Sequence, residues 1–186
     1  MAYLLGEIGD SSALGLLHEA AKSPTPRASA AEVKLMQLQI AEAMVKLGEE
    51  DQTATIRAAL YPARPEDLEI TALAAQILGQ LRDKASEGEL IYLTAREDRA
   101  GNKMSAEIRL ACAAALARMG KTQGTFLADE YAASPLPVLR AQAAFTYGEI
   151  GKPENLPKLE GLLDDPDALV QVSAAAAVLR LTAVRG

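Results

Sequence analysis

Residues 139–181 read LRAQAAFTYGEIGKPENLPKLEGLLDDPDALVQVSAAAAVLRL. Apolar and small side chains return at three- and four-residue intervals up to Ile150, where Gly151 ends the run. A shorter run follows from Leu156 to Leu163, the chain breaks at Asp164-Asp165-Pro166-Asp167, and the rhythm resumes with Val170. That spacing is one face of an α-helix. Glycine takes the left-handed conformation that closes a helix, and proline stops the next one from starting early. The stretch therefore predicts a helix, a tight turn, a shorter helix, a loop, and a further helix.

The same pattern recurs along the chain. YLLGEIGDSSAL, EAMVKLGEEDQT, QILGQLRDKASE, AALARMGKTQGT and FTYGEIGKPENL align with one another, and AVLRLTAVRG matches as far as it goes. Taking the residue after the last apolar one as an anchor gives Gly9, Gly48, Arg82, Gly120, Gly151 and Thr182, 31 to 39 residues apart. Uneven spacing of this kind fits helical repeats joined by loops of varying length. Twelve residues before the anchors lie Met36, Ile70, Ile108, Leu139 and Val170. Eight and seven before lie Ile40-Ala41, Ala74-Ala75, Cys112-Ala113, Ala143-Ala144 and Ala174-Ala175. Four before are Leu5, Met44, Leu78, Leu116, Tyr147 and Val178, and one before are Ile8, Leu47, Leu81, Met119, Ile150 and Leu181. These offsets share one helix face, and its recurrent alanines let neighbouring helices approach closely.

After each anchor a second helix is expected, with buried positions five, eight and twelve residues on: Leu14, Leu17 and Ala21; Thr53, Ile56 and Leu60; Glu87, Leu90 and Thr94; Thr125, Ala128 and Ala132; Leu156, Leu159 and Leu163. Asp10-Ser11-Ser12 and Asn155 offer N-caps, and Pro157 suits a first turn. The segments SPTPR, YPARPED, EDRAGNKMS, ASPLP and DDPDA separate the units. The expected organisation is a single solenoid over 1–186, with units at about 1–23, 29–61, 67–97, 105–133 and 136–165 and a final helix at 167–182. The third unit departs most, with Arg82 for the turn glycine and Glu87 at an apolar position.

With these residues in view, the chain resembles the HEAT-repeat family over its whole length, and most nearly the short bacterial HEAT repeats named after phycobilisome lyases. The resemblance implies an all-α, right-handed α-α superhelix of about five helix pairs plus a terminal helix, truncated at the start of the first repeat. It further implies a non-enzymatic scaffold, part of a larger repeat protein, that binds a protein or peptide in a groove lined by the second helices. The repeat subtype implies one alternative, a bilin chromophore lyase or lyase-like subunit. On the second helices, positions three, seven and ten after the anchor are expected to face the groove. Leu16, Tyr92 and Leu127 are apolar or aromatic among them, with Glu19, Glu89 and Glu130 alongside and Thr55 and Lys158 in the same columns. An apolar track with acidic edges suits a basic or amphipathic peptide.

Composition narrows the function. The formal charge is −6, aromatics make up 4% and Trp is absent, which argues against nucleic acid and against a HEAT-like DNA glycosylase needing a basic, aromatic-lined groove. One Cys excludes an internal disulfide, and one His excludes a His-rich metal site. No apolar run is long enough to span a bilayer, and MAYLLG lacks the basic start of a signal peptide. The cytoplasm is the favoured compartment, although an N-terminal targeting segment upstream would change that.

No catalytic constellation, cofactor or metal site is expected. Gly120-Lys121-Thr122 resembles the end of a phosphate loop, but Ala115 stands where the loop's first glycine belongs, and a helix precedes instead of a strand. Cys112 falls in a core column and reads as a small buried thiol. His18 reads as a surface histidine, and Asp164-Asp165-Pro166-Asp167 as a turn and N-cap. The opening MAYLLGEIGD aligns as the last part of a first helix, and ALVQVSAAAAVLRLTAVRG as a first helix with no second. Neither end carries a polar capping unit, which predicts an excerpt of a longer array or ends covered end to end by another copy.

Overall fold

The computed structural model describes residues 1–23, 25–61, 67–97 and 101–183. Among them are eleven α-helices, five pairs and a terminal helix: α1 (Ala2–Ile8), α2 (Leu14–Lys22), α3 (Ala30–Lys46), α4 (Thr53–Ala58), α5 (Leu68–Gln80), α6 (Glu87–Ala95), α7 (Ala106–Arg118), α8 (Thr125–Tyr131), α9 (Pro137–Ile150), α10 (Leu156–Leu163) and α11 (Ala168–Ala183). The one β contact among the described residues is an isolated bridge between Glu97 and Lys103. Parts of the SPTPR, YPARPED and EDRAGNKMS segments lie outside the described residues.

Local chemistry sets the boundaries. Ser29 and Glu32 form a reciprocal capping box on α3, with Ser29 N donating to Glu32 Oε2 at 2.7 Å and Glu32 N to Ser29 Oγ at 3.2 Å. Asp10 accepts from Ser12 N at 2.9 Å ahead of α2, and Pro137 opens α9. Asn155 stands at the N-cap of α10 but makes no cap bond, because its side chain is buried instead. At the anchors, Gly9, Gly48, Gly120 and Gly151 all have positive φ, and Arg82 adopts the same hand at φ 51°. Arginine pays a steric cost there that glycine avoids. The third pair nevertheless keeps its turn, and α6 forms with Glu87 as its first residue.

The chain divides into two compact units, Met1–Leu81 and Arg82–Gly186. In the first, Leu17 of α2 packs with Ile40, Ala43, Met44 of α3 and Leu47, flanked by Ala2 and Leu5 of α1. In the second, Tyr147, Leu159, Val170, Ala174 and Leu181 form the larger cluster, and Leu110, Ala113, Leu127 and Leu139 a smaller one. Most members of the columns eight and four before the anchor are buried in this way.

Small residues let the first helices meet. A Cβ on Gly6 would stand 2.9 Å from Ala43 Cα, and one on Gly148 would stand 2.8 Å from Ala177 Cβ. Both contacts join the residue three before one anchor to the residue five before the next. Alanine-rich faces bury little area each, so their cohesion rests on dispersion at close approach.

The second helices depart from the expected register in part. In α4 the expected Thr53, Ile56 and Leu60 are buried, and the position eight after the anchor is buried in all five helices. In the other four the first buried position is four after the anchor rather than five, at Ala13, Ser86, Gly124 and Asn155, and Leu93 and Leu162 are buried eleven after it, beside the expected Thr94 in α6. Leu163 and Ala21, expected inside, are exposed. Short 3-10 turns lead into α2, α4, α6 and α10, at Ser11–Ala13, Glu50–Gln52, Lys84–Ser86 and Pro153–Asn155.

Candidate functional site

In the second unit, the exposed strip of the second helices follows from this shifted register. It runs through positions six and ten after each anchor: Gly88 and Tyr92 on α6, Phe126 and Glu130 on α8, Pro157 and Gly161 on α10. Tyr92 and Phe126 are 53% and 51% exposed, large aromatic surfaces left in water. Arg96 lies 5.7 Å from the Tyr92 ring centre.

Leu127 does not belong to this strip. It is fully buried, packed with Leu110, Ala113 and Leu139, because Gly124 sits so tightly on Ala113 that α8 turns Leu127 inward. A Cβ on Gly124 would approach Ala113 Cβ to 2.3 Å. The exposed apolar residue of α8 is the preceding one, Phe126. The signal that could have found it was Gly124 itself, a residue with no side chain at a buried column.

Glu130 is exposed but engaged. Arg109, from α7 and 3% exposed, reaches it with Nη1 to Oε1 at 3.1 Å and Nη2 to Oε2 at 3.2 Å. The same guanidinium donates to Tyr131 Oη at 2.6 Å and, through Nε, to the Thr94 carbonyl at 3.0 Å. Arg109 thus ties the end of α6 to α8. Its hydrogen bonds hold the Glu130 carboxyl below the ordinary range, against a smaller opposing effect of burial.

Lys158 of α10 is exposed and pairs with Asp129, which also accepts from Tyr147 Oη at 2.7 Å. Lys158 Nζ lies 5.1 Å from the Tyr147 ring centre. Partial burial pushes the Asp129 carboxyl up, but the Lys158 and Tyr147 hydrogen bonds outweigh it and leave the group lowered. Glu89 is half-buried on the inner flank of α6, with Oε1 buried and making no hydrogen bond. It raises the neighbouring Cys112 thiol, which burial in the first place has pushed up to about 12. At neutral pH that thiol keeps its proton and is no nucleophile.

The remaining sequence-predicted residues lie in the first unit. Leu16 and Glu19 are exposed on α2, and Thr55 on α4. Thr55 borders a concavity of about 230 Å³ lined by Lys34, Gln37, Leu38, Tyr61 and Ile70. His18 Nε2 stands 2.7 Å from Glu49 Oε1 and is partly exposed.

The other motifs have structural roles. Lys121 pairs with Glu87 at 2.7 Å, and its backbone N–H closes α7 on Leu116. Asp165 accepts from Arg140 Nε and Nη2 at 2.7 and 2.8 Å, and Asp167 accepts from Leu169 N. Among the described residues no group of three or more His, Cys, Asp or Glu stands close enough to hold a metal, and no helix is long and apolar enough to cross a membrane.

A family model described as HEAT repeats matches residues 94–180. That stretch is a run of HEAT repeats. It contains α7 through α10 and most of α11, so the Arg109–Glu130 and Lys158–Asp129 contacts lie inside the HEAT segment. Two solved structures extend the fold likeness beyond it. An engineered protein from a structural-genomics consortium is similar at TM-score 0.57 and 18% identity, over 98% of this chain and 89% of that one. A designed armadillo repeat protein is similar at the same TM-score and identity, over 97% of this chain and 91% of that one. At that identity the likeness concerns the fold alone, an all-helical HEAT- and armadillo-like repeat. No curated protein matches the chain.

Proposed function

We propose that this chain is a non-enzymatic scaffold that holds a protein or peptide on the second helices of its HEAT repeats. The observation that carries the reading is the pair of exposed aromatic rings, Tyr92 and Phe126, on successive second helices. Exposed large aromatics on helices whose other faces are buried mark contact surfaces. Asp129 and Glu130 put carboxylates next to Phe126, so an amphipathic partner with a cationic flank fits best. Lys158 tempers the charge at α10. The buried Arg109 and the Tyr147–Asp129 bond fix these carboxylates in place before any partner arrives.

The test is selection from a random peptide library displayed on phage, using the full chain as bait. Enriched peptides should combine apolar anchors at helical spacing with Lys or Arg. Changing Tyr92 and Phe126 to Ser should reduce their binding about tenfold or more. Selection of nothing, together with saturable binding of a bilin by the same protein, would favour the lyase reading instead.

A further inference from the structure

We infer that the concavity at the end of α4 binds a phenol ring, with the hydroxyl seated between Lys34 and Asp67. It opens where α3, α4 and the start of α5 meet, inside the first unit, and holds about 230 Å³. A single water needs about 10–15 Å³ of such space, and drug-sized ligands take about 300–1,000 Å³. That leaves room for one ring. Leu38 and Ile70, 3% and 4% exposed, give the cavity an apolar floor, and Ala58 and Ala59 its α4 wall. Its lining also holds an ion pair, with Lys34 Nζ 2.7 Å from Oδ1 of the buried Asp67.

Small residues on α4 account for the space. Eleven after the anchor, Ala59 stands where α6, α8 and α10 carry Leu93, Tyr131 and Leu162. Ten after, Ala58 stands where α8 carries Glu130; eleven before, Gln37 stands where α7 carries Arg109. The floor keeps its size. Leu38 shares its column with Leu110, and Ile70 shares its column with Leu139. A small side chain above a full-sized apolar floor leaves a void that the surrounding helices close only in part.

The fourth helix pair shows what fits over such a floor. There Tyr131 packs against the cluster of Leu110, Leu127 and Leu139, and its Oη accepts from Arg109 Nη1 at 2.6 Å beside the Glu130 carboxylate. A phenol hydroxyl is donor and acceptor at once, so a cation and a carboxylate side by side satisfy both roles. Lys34 and Asp67 are such a pair, supplied by α3 and the N-cap of α5 instead of α7 and α8. The bound phenol lays its ring on Leu38 and Ile70, accepts from Lys34 and donates to Asp67.

Other occupants match the lining less well. A guanidinium or ammonium group meets the like charge of Lys34, and a carboxylate meets that of Asp67. A purely apolar ring covers the floor but takes water from the ion pair and returns no hydrogen bond. The cavity and the Tyr92–Phe126 strip share no residue, so phenol binding and peptide binding succeed or fail separately.

Methyl NMR of the full 186-residue chain, titrated with p-cresol, tests this. The Leu38 and Ile70 methyl signals should shift saturably, while those of Leu110 and Leu139, whose corner Tyr131 already fills, should stay in place. Toluene, which lacks the hydroxyl, should bind about tenfold or more weakly. Asp67→Asn should weaken p-cresol by about tenfold and leave toluene unchanged. Ala59→Tyr supplies the ring from within and should abolish the shifts with the helical circular dichroism unchanged; Ala59→Leu is the milder variant and should weaken binding by about tenfold. N-acetyltyrosinamide separates the two sources of a phenol. The same shifts with it identify a partner's tyrosine side chain, and p-cresol binding without it identifies a free small phenol. The absence of saturable shifts would overturn the proposal. So would equal affinity for toluene, or undiminished binding by the folded Ala59 variants.

Discussion

At the scale of single residues, Arg109 decides how the second unit's candidate surface is held. Its guanidinium is buried, and its partners Glu130, Tyr131 and the Thr94 carbonyl come from two helices. Replacing it with Met keeps most of the stem's packing but orphans the carbonyl and the phenol, at a cost of about 2 kcal/mol. Urea denaturation would measure that as a lower midpoint. The acid response follows from the carboxyl groups. Glu130 is lowered by Arg109, and Asp165 by its hydrogen bonds from Arg140. A carboxyl lowered in the fold stabilises it above the unfolded value of about 4, and that contribution is lost as pH falls through the lowered value. Thermal midpoints should therefore drop below about pH 4, and Arg109→Met should flatten part of the drop while carbon NMR shows the Glu130 carboxyl returning towards its ordinary range. Arg109 escaped the sequence reading because only apolar columns were traced. Its own column, eleven before the anchor, is polar throughout (Gln37, Thr71, Arg109, Arg140, Gln171); Thr71, Arg140 and Gln171 bond backbone carbonyls of the segments between repeats, and Arg109 bonds the Thr94 carbonyl in the last turn of α6.

At the scale of helices, the glycines separate packing from backbone freedom. Gly124 and Gly148 lie against Ala113 and Ala177 with no room for a methyl group, whereas Gly88 and Gly161 are helical with nothing within 4 Å of a Cβ. Gly124→Ala and Gly148→Ala should destabilise by about 1–3 kcal/mol. Gly161→Ala should stabilise by up to about 1 kcal/mol through helix propensity. Opposite shifts in melting temperature within one short series would check both. From α3 onward the first helices were legible to within a residue or two, because thirteen or more residues carry a periodic face through three turns. The second helices have six to nine residues, too few for the pattern to fix its own phase. There a one-residue shift, set in α8 by the close seat of Gly124 on Ala113, is enough to exchange Leu127 for Phe126 at the surface.

At the scale of the whole chain, the repeat was readable because self-similarity does not depend on any single column being right. The candidate site was readable only in outline. Tyr92, Leu16 and Thr55 are exposed as expected, but Leu127 is core, Glu130 is exposed and held in place by Arg109, and Glu89 is half-buried. Burial of a side chain depends on the neighbouring helix, and no offset within one helix encodes it. The scaffold reading is tested most directly by amide hydrogen exchange on the full chain with and without a library-selected peptide. Protection should concentrate at 87–95 and 125–131, the α6 and α8 helices that carry Tyr92 and Phe126. Protection confined to the first helices 106–118 and 137–150, with α6 and α8 unchanged, would contradict it.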